Sequence, residues 1–284
     1  MDLGIISIGS SSSGNSYIIT NGRTHLLLDA GLSAKKIREA LVLAGISEKA
    51  VQGVLITHEH TDHIQSIRTI TRVCENAVIV SSRGTAYNCD KFEYVPENRR
   101  HYVAAQDALM IGDIGIKVFA LSHDAAEPVS YSFSCRKTVL TVVTDTGTVT
   151  DEIFEEIKRS DLLVLEANHE VSMLEMGPYP YQLKRRILSD RGHLSNVAAG
   201  ETLARMLEFR MSIDAARLPE VNGTPALPQV MLAHLSTHNT TPANASVTVR
   251  DILWQHDYRI GEDYGLGIAA KDQVSDLMII GQEP

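Results

Sequence analysis

The chain has 284 residues, of which 44% are hydrophobic and 21% are charged, and its formal net charge is -9. This length suits one large α/β domain or two small ones, and the composition is that of an ordinary globular protein. The acidic balance excludes a general basic field that would attract nucleic acid. A polyanionic substrate would therefore need bound cations and a local basic patch.

The cysteines and the first residues indicate the compartment. Cys74, Cys89 and Cys135 are odd in number and form no CxxC spacing, which argues against a disulfide framework and favours a reducing compartment. The first residues lack the basic and apolar segments of a signal peptide, and no apolar run is long enough to span a bilayer. We therefore expect a cytoplasmic protein that does not bind membranes.

The first part of the chain alternates short apolar runs with turns. Strands are predicted at residues 3–8, 17–20, 24–28, 53–56 and 77–80. The dipeptide Asn21-Gly22 predicts a hairpin between two of them. A helix that starts after Ser33 and stops at Gly45 makes a β-α-β pattern with the strand that follows. Residues 83–107 are polar, aromatic and interrupted by Pro96, which makes their pattern hard to interpret.

Two features of this part have open interpretations. The loop with Ser10, Ser13 and Asn15 is either a flexible turn or a phosphate-binding loop, because its hydroxyl and N–H groups could hold an anion. Asp29 ends an apolar strand. It is either an ordinary cap or an outer carboxylate that fixes the tautomer of a metal-bound histidine.

A dense group of metal-ligand residues follows strand 53–56 in the run Thr57-His58-Glu59-His60-Thr61-Asp62-His63. Imidazole and carboxylate together suit borderline divalent metals such as zinc, and the lack of nearby cysteines argues against a closed structural zinc site. A loop entering a helix can offer the histidines to one metal while Asp62 serves a second. A histidine-rich tract can also be purely compositional. Only eleven histidines exist in the chain and three fall here, so the metal interpretation is favoured.

The later part of the chain repeats one pattern, in which a strand ends in polar residues of ligand type. Strands are predicted at residues 116–121, 129–135, 138–143, 162–165 and 230–233, and helices after Asn196 and from Pro242. Four of the strands run into Ser122-His123-Asp124, Thr144-Asp145-Thr146-Gly147, Glu166-Ala167-Asn168-His169 and His234-Leu235-Ser236. Such repetition is typical of a site along one edge of a sheet, although any single residue could be an ordinary strand-end cap.

A group of cations precedes His193 and comprises Lys184, Arg185, Arg186 and Arg191. These side chains are candidates for contact with phosphate. A solvated helix face explains the same residues equally well, and both interpretations stay open.

Taken in order, the strand-end aspartate, the His-x-His-x-Asp-His run, a later histidine, Thr-Asp-Thr-Gly and a final strand-end histidine resemble the metallo-β-lactamase superfamily, over residues 7–238. The resemblance implies an α/β fold, a four-layer αββα sandwich with two mixed sheets packed face to face and helices outside. It also implies one domain over residues 1–284, with two divalent metal ions at one edge.

Within that superfamily the chain resembles the YycJ or WalJ type. The motifs that carry this resemblance are Gly9-Ser10 through Gly14-Asn15, Asp29-Ala30-Gly31-Leu32-Ser33, Ser122-His123-Asp124-Ala125-Ala126-Glu127-Pro128, Thr144-Asp145-Thr146-Gly147, Glu166-Ala167-Asn168-His169, Lys184 through Ile187, Gly192-His193-Leu194-Ser195-Asn196 and Leu232-Ala233-His234-Leu235-Ser236. Those proteins are cytoplasmic bacterial hydrolases associated with 5′-to-3′ exonuclease activity on double-stranded DNA. The ribonuclease Z enzymes are cousins with a comparable Arg-Gly-His-Ser segment.

The resemblance implies a role for each matching residue. One metal would be held by His58, His60 and His123, the other by Asp62, His63 and His234, with Asp145 bridging them. Asp29 would be the outer carboxylate. Asp62 and His193 would be catalytic, His193 as the proton donor or phosphate-binding group. The Ser-His-Asp-Ala context of His123 differs from the general superfamily pattern. The histidines outside the pattern are expected to be structural, namely His25, His101, His169, His238 and His256.

The reaction this implies is hydrolysis of a phosphodiester by a hydroxide that bridges two zinc, manganese or iron ions. Nucleic acid, with DNA favoured over RNA, would be held by Lys184, Arg185 and Arg191, and a 5′ phosphate by the loop from Ser10 to Asn15. One alternative is hydrolysis of a small molecule, such as a cyclic phosphodiester, thioester, lactone or β-lactam, because one fold hosts many chemistries. The other alternative is a non-catalytic binding module. It is disfavoured because every metal-ligand position of the family pattern holds a residue that can bind a metal.

Overall fold

The computed structural model describes residues 3–280, which form two compact units. The first unit contains residues 3–120, 125–135 and 270–277, and the second contains residues 121–124, 136–269 and 278–280. In the described part of the chain, no helix has the length and apolar character needed to cross a membrane.

The first unit contains a run of six neighbouring strands in chain order. Its elements are β1 (Gly4–Gly9), β2 (Ser16–Thr20), β3 (His25–Leu28), α1 (Ala34–Leu43), β4 (Val51–Leu55), α2 (Thr61–Ile64), α3 (Ile67–Val73), β5 (Val78–Ser82), α4 (Arg83–Tyr87), β6 (Arg100–Val103), β7 (Ala108–Ile111), β8 (Ile114–Ala120) and β9 (Val129–Cys135). Strands β1, β2 and β3 pair antiparallel, and β3, β4, β5 and β6 pair parallel. Strands β7, β8 and β9 form an antiparallel meander.

Local sequence explains these elements. Ser33 accepts a hydrogen bond from the Lys36 N–H and so caps α1, whose residues Ile37, Ala40 and Leu41 are buried. The carboxyl ends of β3, β4 and β5 lie at one edge of the sheet because these strands are parallel and adjacent. That edge carries Asp29 and the histidine motif.

The second unit is built on four parallel strands in the order β10, β11, β14, β15. Its elements are β10 (Thr138–Val143), α5 (Asp151–Ile157), β11 (Leu162–Glu166), α6 (Val171–Met176), α7 (Tyr181–Ile187), α8 (Asn196–Met211), β12 (Glu220–Val221), β13 (Thr224–Pro225), β14 (Gln229–Ala233), α9 (Pro242–Gln255), β15 (Gly265–Ile268) and β16 (Met278–Ile279). Every residue of β11 and β14 is buried, as expected for parallel strands. Parallel pairing brings the polar residues after β10, β11 and β14 to one edge.

The predicted α/β class with two mixed sheets and helices is confirmed. The uninterpreted stretch 83–107 forms α4, two turns of 3-10 helix and the strand β6. Residues 217–228, a stretch rich in proline, contain the small hairpin of β12 and β13. The organisation as one domain over residues 1–284 stays a prediction, and its first two and last four residues lie outside the described residues.

Candidate metal-binding clusters

The histidine motif forms a compact cluster in the first unit. His58 and His63 are buried, while His60 and Asp62 are partly exposed. The His58 Nε2 and His60 Nδ1 atoms are 3.1 Å apart, and His63 Nε2 is 3.5 Å from the Asp62 carboxylate. Imidazole and carboxylate donors of the kind that divalent metals prefer therefore lie close together where β4 passes into α2.

Asp29 supports one histidine of this cluster from outside. Its buried carboxylate accepts hydrogen bonds from the Thr57 N–H at 2.9 Å and from His63 Nδ1 at 2.7 Å. Burial raises the pKa of Asp29, and His63 and Thr57 oppose that rise. Because Nδ1 of His63 is bound to Asp29, Nε2 is the nitrogen that faces Asp62. This is the geometry of an outer carboxylate that orients a metal ligand.

The serine-rich loop packs its backbone directly against the motif. The Asn15 N–H donates to the Asp62 carbonyl at 2.8 Å, and the Asn15 Nδ2 lies 3.1 Å from His63 Nε2. Gly31 bonds to Asn15 in turn, and a Cβ at Gly31 would lie 1.6 Å from the Asp62 carbonyl oxygen. Ser10 is buried, with its hydroxyl donated to Asn15, whereas Ser13 is exposed. The loop holds the motif in place, and its contact with phosphate stays a prediction.

A second cluster occupies the strand-end edge of the second unit. Ligand-type atoms of Asp145, Glu166, His193 and His234 all lie within 4.8 Å of one another. The nearest Asp145 and His234 atoms are 3.5 Å apart, and both residues are buried. His193 keeps 19% of its side chain exposed. The parallel strands β10, β11 and β14 deliver three of these four residues.

Glu166 contacts both histidines of this second cluster. Its Oε1 lies 2.8 Å from His193 Nδ1 and 2.7 Å from His234 Nδ1, and its Oε2 accepts the N–H groups of Thr146 and Leu194. Burial works to raise the pKa of Glu166, but the two histidines outweigh it and lower that pKa to about 2. One carboxylate thus orients two imidazoles.

The sequence indicates Glu166 only as a polar strand-end residue, and the family resemblance gives it no role. The available signal was its place at the carboxyl end of a wholly apolar strand, between other strands that end in ligand-type residues.

The pKa values of His193 and His123 are shifted in opposite directions. Burial works to lower the pKa of His193, but the Glu166 carboxylate outweighs it and raises that pKa. Burial lowers the pKa of His123, although the charge of Asp145 acts to raise it. His123 Nδ1 lies 3.1 Å from the Gly192 carbonyl, which leaves Nε2 on the side of Asp145 at 3.9 Å. His193 is therefore suited to carry a proton and His123 to be a neutral ligand.

Three of these site residues share an unusual backbone conformation. Asp29, Asp145 and His234 each follow a strand, and their φ angles are 60°, 60° and 54°. Non-glycine residues adopt this left-handed region rarely, with Asp, Asn and His the most tolerant. The sharp bend after the strand turns each side chain to the strand-end edge of its own unit.

The predicted substrate-binding cations differ in what they contact. Arg191 donates to the His123 carbonyl at 2.9 Å, and Lys184 donates to the Glu175 carbonyl at 2.7 Å. Arg186 pairs with Asp124. Arg185 is exposed, and its guanidinium lies 6.0 Å from the centre of the Tyr181 ring. Arg191 thus supports a candidate ligand, while Arg185 presents its charge to solvent.

The histidines outside the pattern belong to neither cluster, although buried His169 is close enough to Glu166 and His193 to interact with them electrostatically. His25 contacts Thr20, His238 packs edge-on against Tyr179, and His256 lies near Glu201. His101 is exposed. Buried His169 has no hydrogen-bond partner for either ring nitrogen among residues 3–280.

The donor set of both clusters fits borderline divalent metal ions. Each cluster combines imidazole nitrogens with carboxylates, contains no thiolate and is largely buried. In each, a buried carboxylate orients an imidazole through its Nδ1. Such support is usual around metal-binding histidines.

Comparison with known proteins bears on both the family and the fold. A model of the beta-lactamase superfamily domain matches residues 24–212. The chain is 33% identical to exodeoxyribonuclease YycJ of Bacillus anthracis over 257 residues, 90% of this chain and 91% of that one. It is 32% identical to exodeoxyribonuclease WalJ of Streptococcus pneumoniae over 273 residues, 95% of each chain.

Among solved structures, the metallo-β-lactamase fold protein YhfI of Bacillus subtilis superimposes with a TM-score of 0.67. The sequence identity is 16%, and the match covers 96% of this chain and 99% of that one. This likeness shows the fold, and the two sequence relatives confirm the resemblance that the ordered motifs indicated. The chain therefore belongs to the metallo-β-lactamase superfamily, in its YycJ/WalJ type, and is a metal-dependent hydrolase.

Proposed function

We propose that the protein is a cytoplasmic 5′-to-3′ exonuclease that hydrolyses double-stranded DNA with two divalent metal ions. The observation that carries this proposal is the Glu166–His193 pair. The carboxylate of Glu166 raises the pKa of His193, which lies beside Asp145 and His234. A phosphodiester needs a proton donor for its departing oxygen, and this histidine is suited to that task. The exodeoxyribonuclease names of the two sequence relatives support DNA as the substrate.

The proposed ligand set follows the family pattern. His58, His60 and His123 would bind one ion, Asp62, His63 and His234 the other, and Asp145 both. The mixed imidazole and carboxylate donors support zinc or manganese. Two such ions would supply Lewis acidity at phosphorus and lower the pKa of the attacking water.

The protein groups then have separate tasks. Asp29 keeps Nε2 of His63 available by binding its Nδ1, and Glu166 does the same for His234. His193, charged through Glu166, donates its proton to the departing 3′ oxygen. Asp62 is catalytic in this proposal through its ligand role.

Substrate contacts are proposed at Arg185, Lys184 and Arg191, with the loop residues Ser10, Ser13 and Asn15 at the 5′ phosphate. Arg185 and Ser13 are exposed, which supports direct contact. Lys184 and Arg191 already donate to carbonyl groups, so they would contact phosphate with their remaining N–H groups.

The test is degradation of duplex DNA that carries a 5′ phosphate and a 3′ label, by metal-free protein given zinc or manganese in turn. Stepwise shortening from the 5′ end is expected, and a phosphorothioate block at that end should prevent it. The double variant Asp62→Ala, His63→Ala should lose activity at least a thousandfold. The control His256→Ala, at an exposed histidine, should retain it.

The proposal fails if wild-type protein leaves DNA intact with every metal. Hydrolysis of bis-(p-nitrophenyl) phosphate or a thioester under the same conditions would then favour a small-molecule hydrolase. Cleavage of end-blocked DNA would instead indicate an endonuclease.

A further inference from the structure

Two tyrosines and an arginine stack on the surface of the first unit. The rings of Tyr87 and Tyr102 lie with centroids 6.4 Å apart and planes inclined by 26°. The Arg83 guanidinium lies 4.8 Å from the centre of the Tyr102 ring and 3.5 Å from the Tyr87 hydroxyl. We call these three residues the aromatic platform. Tyr87 is 74% exposed, so the platform offers an open aromatic surface to a ligand.

The platform also carries an available positive charge. Arg83 is exposed, and no carboxylate forms an ion pair with it within residues 3–280. A cation stacked on one tyrosine and touching another adds attraction both for aromatic groups and for anions. Tyr102 is partly buried against the core, but Tyr87 is exposed and adds little to that core, so stability alone does not account for Tyr87 and Arg83.

The fold places this platform beside the histidine motif. Strands β4 and β5 are parallel neighbours, and the Ile56 N–H bonds to the Val80 carbonyl at 2.8 Å. The motif follows β4, and Arg83 follows β5 directly. Both features therefore leave the sheet at the same edge.

One segment of chain ties the two features together. The Ala126 N–H donates to the Glu59 carboxylate at 2.7 Å, and the next residue, Glu127, accepts the Gly84 N–H at 2.6 Å. Ser82 donates its hydroxyl to the Glu127 carbonyl at 2.7 Å. A Cβ at Gly84 would lie 2.4 Å from the Glu127 Cβ, so glycine allows this close fit. The platform is thus held in a set position next to the motif.

We propose that the aromatic platform binds an unpaired nucleobase of the strand being hydrolysed, by stacking it on Tyr87 while Arg83 attracts the adjacent phosphate. This inference rests on the proposed nuclease function and adds a base-binding subsite to it. Every base has a flat aromatic face, so stacking would hold the end of the strand without selecting its sequence. Duplexes with frayed or unpaired 5′ ends should bind better than blunt ends closed by G·C pairs.

The experiment measures binding of a 5′-phosphorylated oligonucleotide that has 2-aminopurine as its first base and a phosphorothioate as its first linkage. Binding to wild-type protein should quench the 2-aminopurine fluorescence through stacking. Tyr87→Ala should weaken binding roughly tenfold and remove the quenching. Tyr87→Phe, which keeps the ring, should restore both, and Arg83→Gln should weaken binding with quenching partly kept.

The matched control is Tyr94→Ala, at a tyrosine that is 46% exposed, stacks under Arg68 and lies outside the platform. Its binding and quenching should equal those of wild type, and metal content and melting temperature should confirm that all variants fold. Wild-type affinity and quenching in Tyr87→Ala would overturn the inference, as would no quenching in wild type. The exonuclease proposal is judged separately, by shortening of labelled DNA, so failure of the base-binding subsite is distinguishable from failure of the nuclease function.

Discussion

The two candidate metal-binding clusters are built in different ways. The first comes from one short run, His58 to His63, supported by the neighbouring strand end at Asp29. The second draws its side chains from separate strand ends and loops between residues 145 and 234. In the first, one carboxylate orients one histidine. In the second, the single carboxylate of Glu166 orients two.

This difference in hydrogen-bond support determines which substitutions should reduce activity most in each cluster. The residues of the first cluster are neighbours in the chain, so they stay close together whenever the loop folds. Losing the hydrogen bond from Asp29 should therefore disturb them only in part. The second cluster has no such connectivity, and its two histidines share one hydrogen-bond acceptor. Changes at Glu166 should therefore cost more activity than changes at Asp29.

The largest effect is expected for Glu166→Gln. A neutral amide stabilises the charged form of His193 less than a carboxylate does, and it also orients His234 less firmly. The kcat on a phosphodiester should therefore fall roughly a hundredfold or more. The carboxylate raises the pKa of His193, and a proton donor loses activity as the pH rises through its pKa. In Glu166→Gln that pKa falls, so the alkaline decline of kcat should begin at lower pH. The measurement is the pH profile of kcat with saturating metal.

Glu175→Gln is the matched control, because Glu175 is exposed in the same unit. It should leave the profile unchanged. An unaltered alkaline limb in Glu166→Gln would show that His193 is not the donor that Glu166 charges.

A smaller effect is expected for Asp29→Asn. The variant keeps the shape of the side chain but weakens its hold on His63 Nδ1, so affinity for metal should fall about 10- to 100-fold. Activity at saturating metal should fall less than in Glu166→Gln. Competition with a chromophoric zinc chelator measures the affinity. Asp113→Asn removes an exposed carboxylate that accepts bonds from Asn21 and Thr24, and it should bind metal as wild type does. Equal affinity in Asp29→Asn would identify Asp29 as an ordinary strand-end cap.

The smallest effect concerns His169, a buried histidine of the second unit that lies outside the proposed ligand set. Burial lowers its pKa to about 4, so it stays neutral in the folded protein while the unfolded chain takes up a proton below about pH 6.5. The free energy of unfolding should therefore fall as the pH drops from 6.5 towards 4. His169→Phe should remove about 2 kcal/mol of the fall between pH 6.5 and 5.

Urea unfolding of metal-free protein at several pH values measures this difference, with His256→Phe as the exposed control. If His169→Phe kept the same pH dependence as wild type, the ring of His169 would have to be protonated in the folded state.

The strand ends and the histidine motif could be predicted because their signals are local. Apolar runs 138–143 and 162–165 identify β10 and most of β11, and Ser33 identifies the start of α1. Residues 83–107 gave no such signal, since short helical turns and an aromatic pair have no periodicity to detect. The role of Arg191 was equally hidden, because its partner is a backbone carbonyl that is distant in sequence.

Residue type and order alone were sufficient to indicate the family and the edge on which each strand ends, because periodicity and motif spacing are properties of neighbouring residues. Only the tertiary structure shows that Glu166 serves both His193 and His234, and that Tyr87 stacks beside Tyr102 at the edge of the motif. Hydrogen bonds and ring contacts between residues far apart in the chain depend on strand register and backbone bends. Those are set by packing of the whole unit.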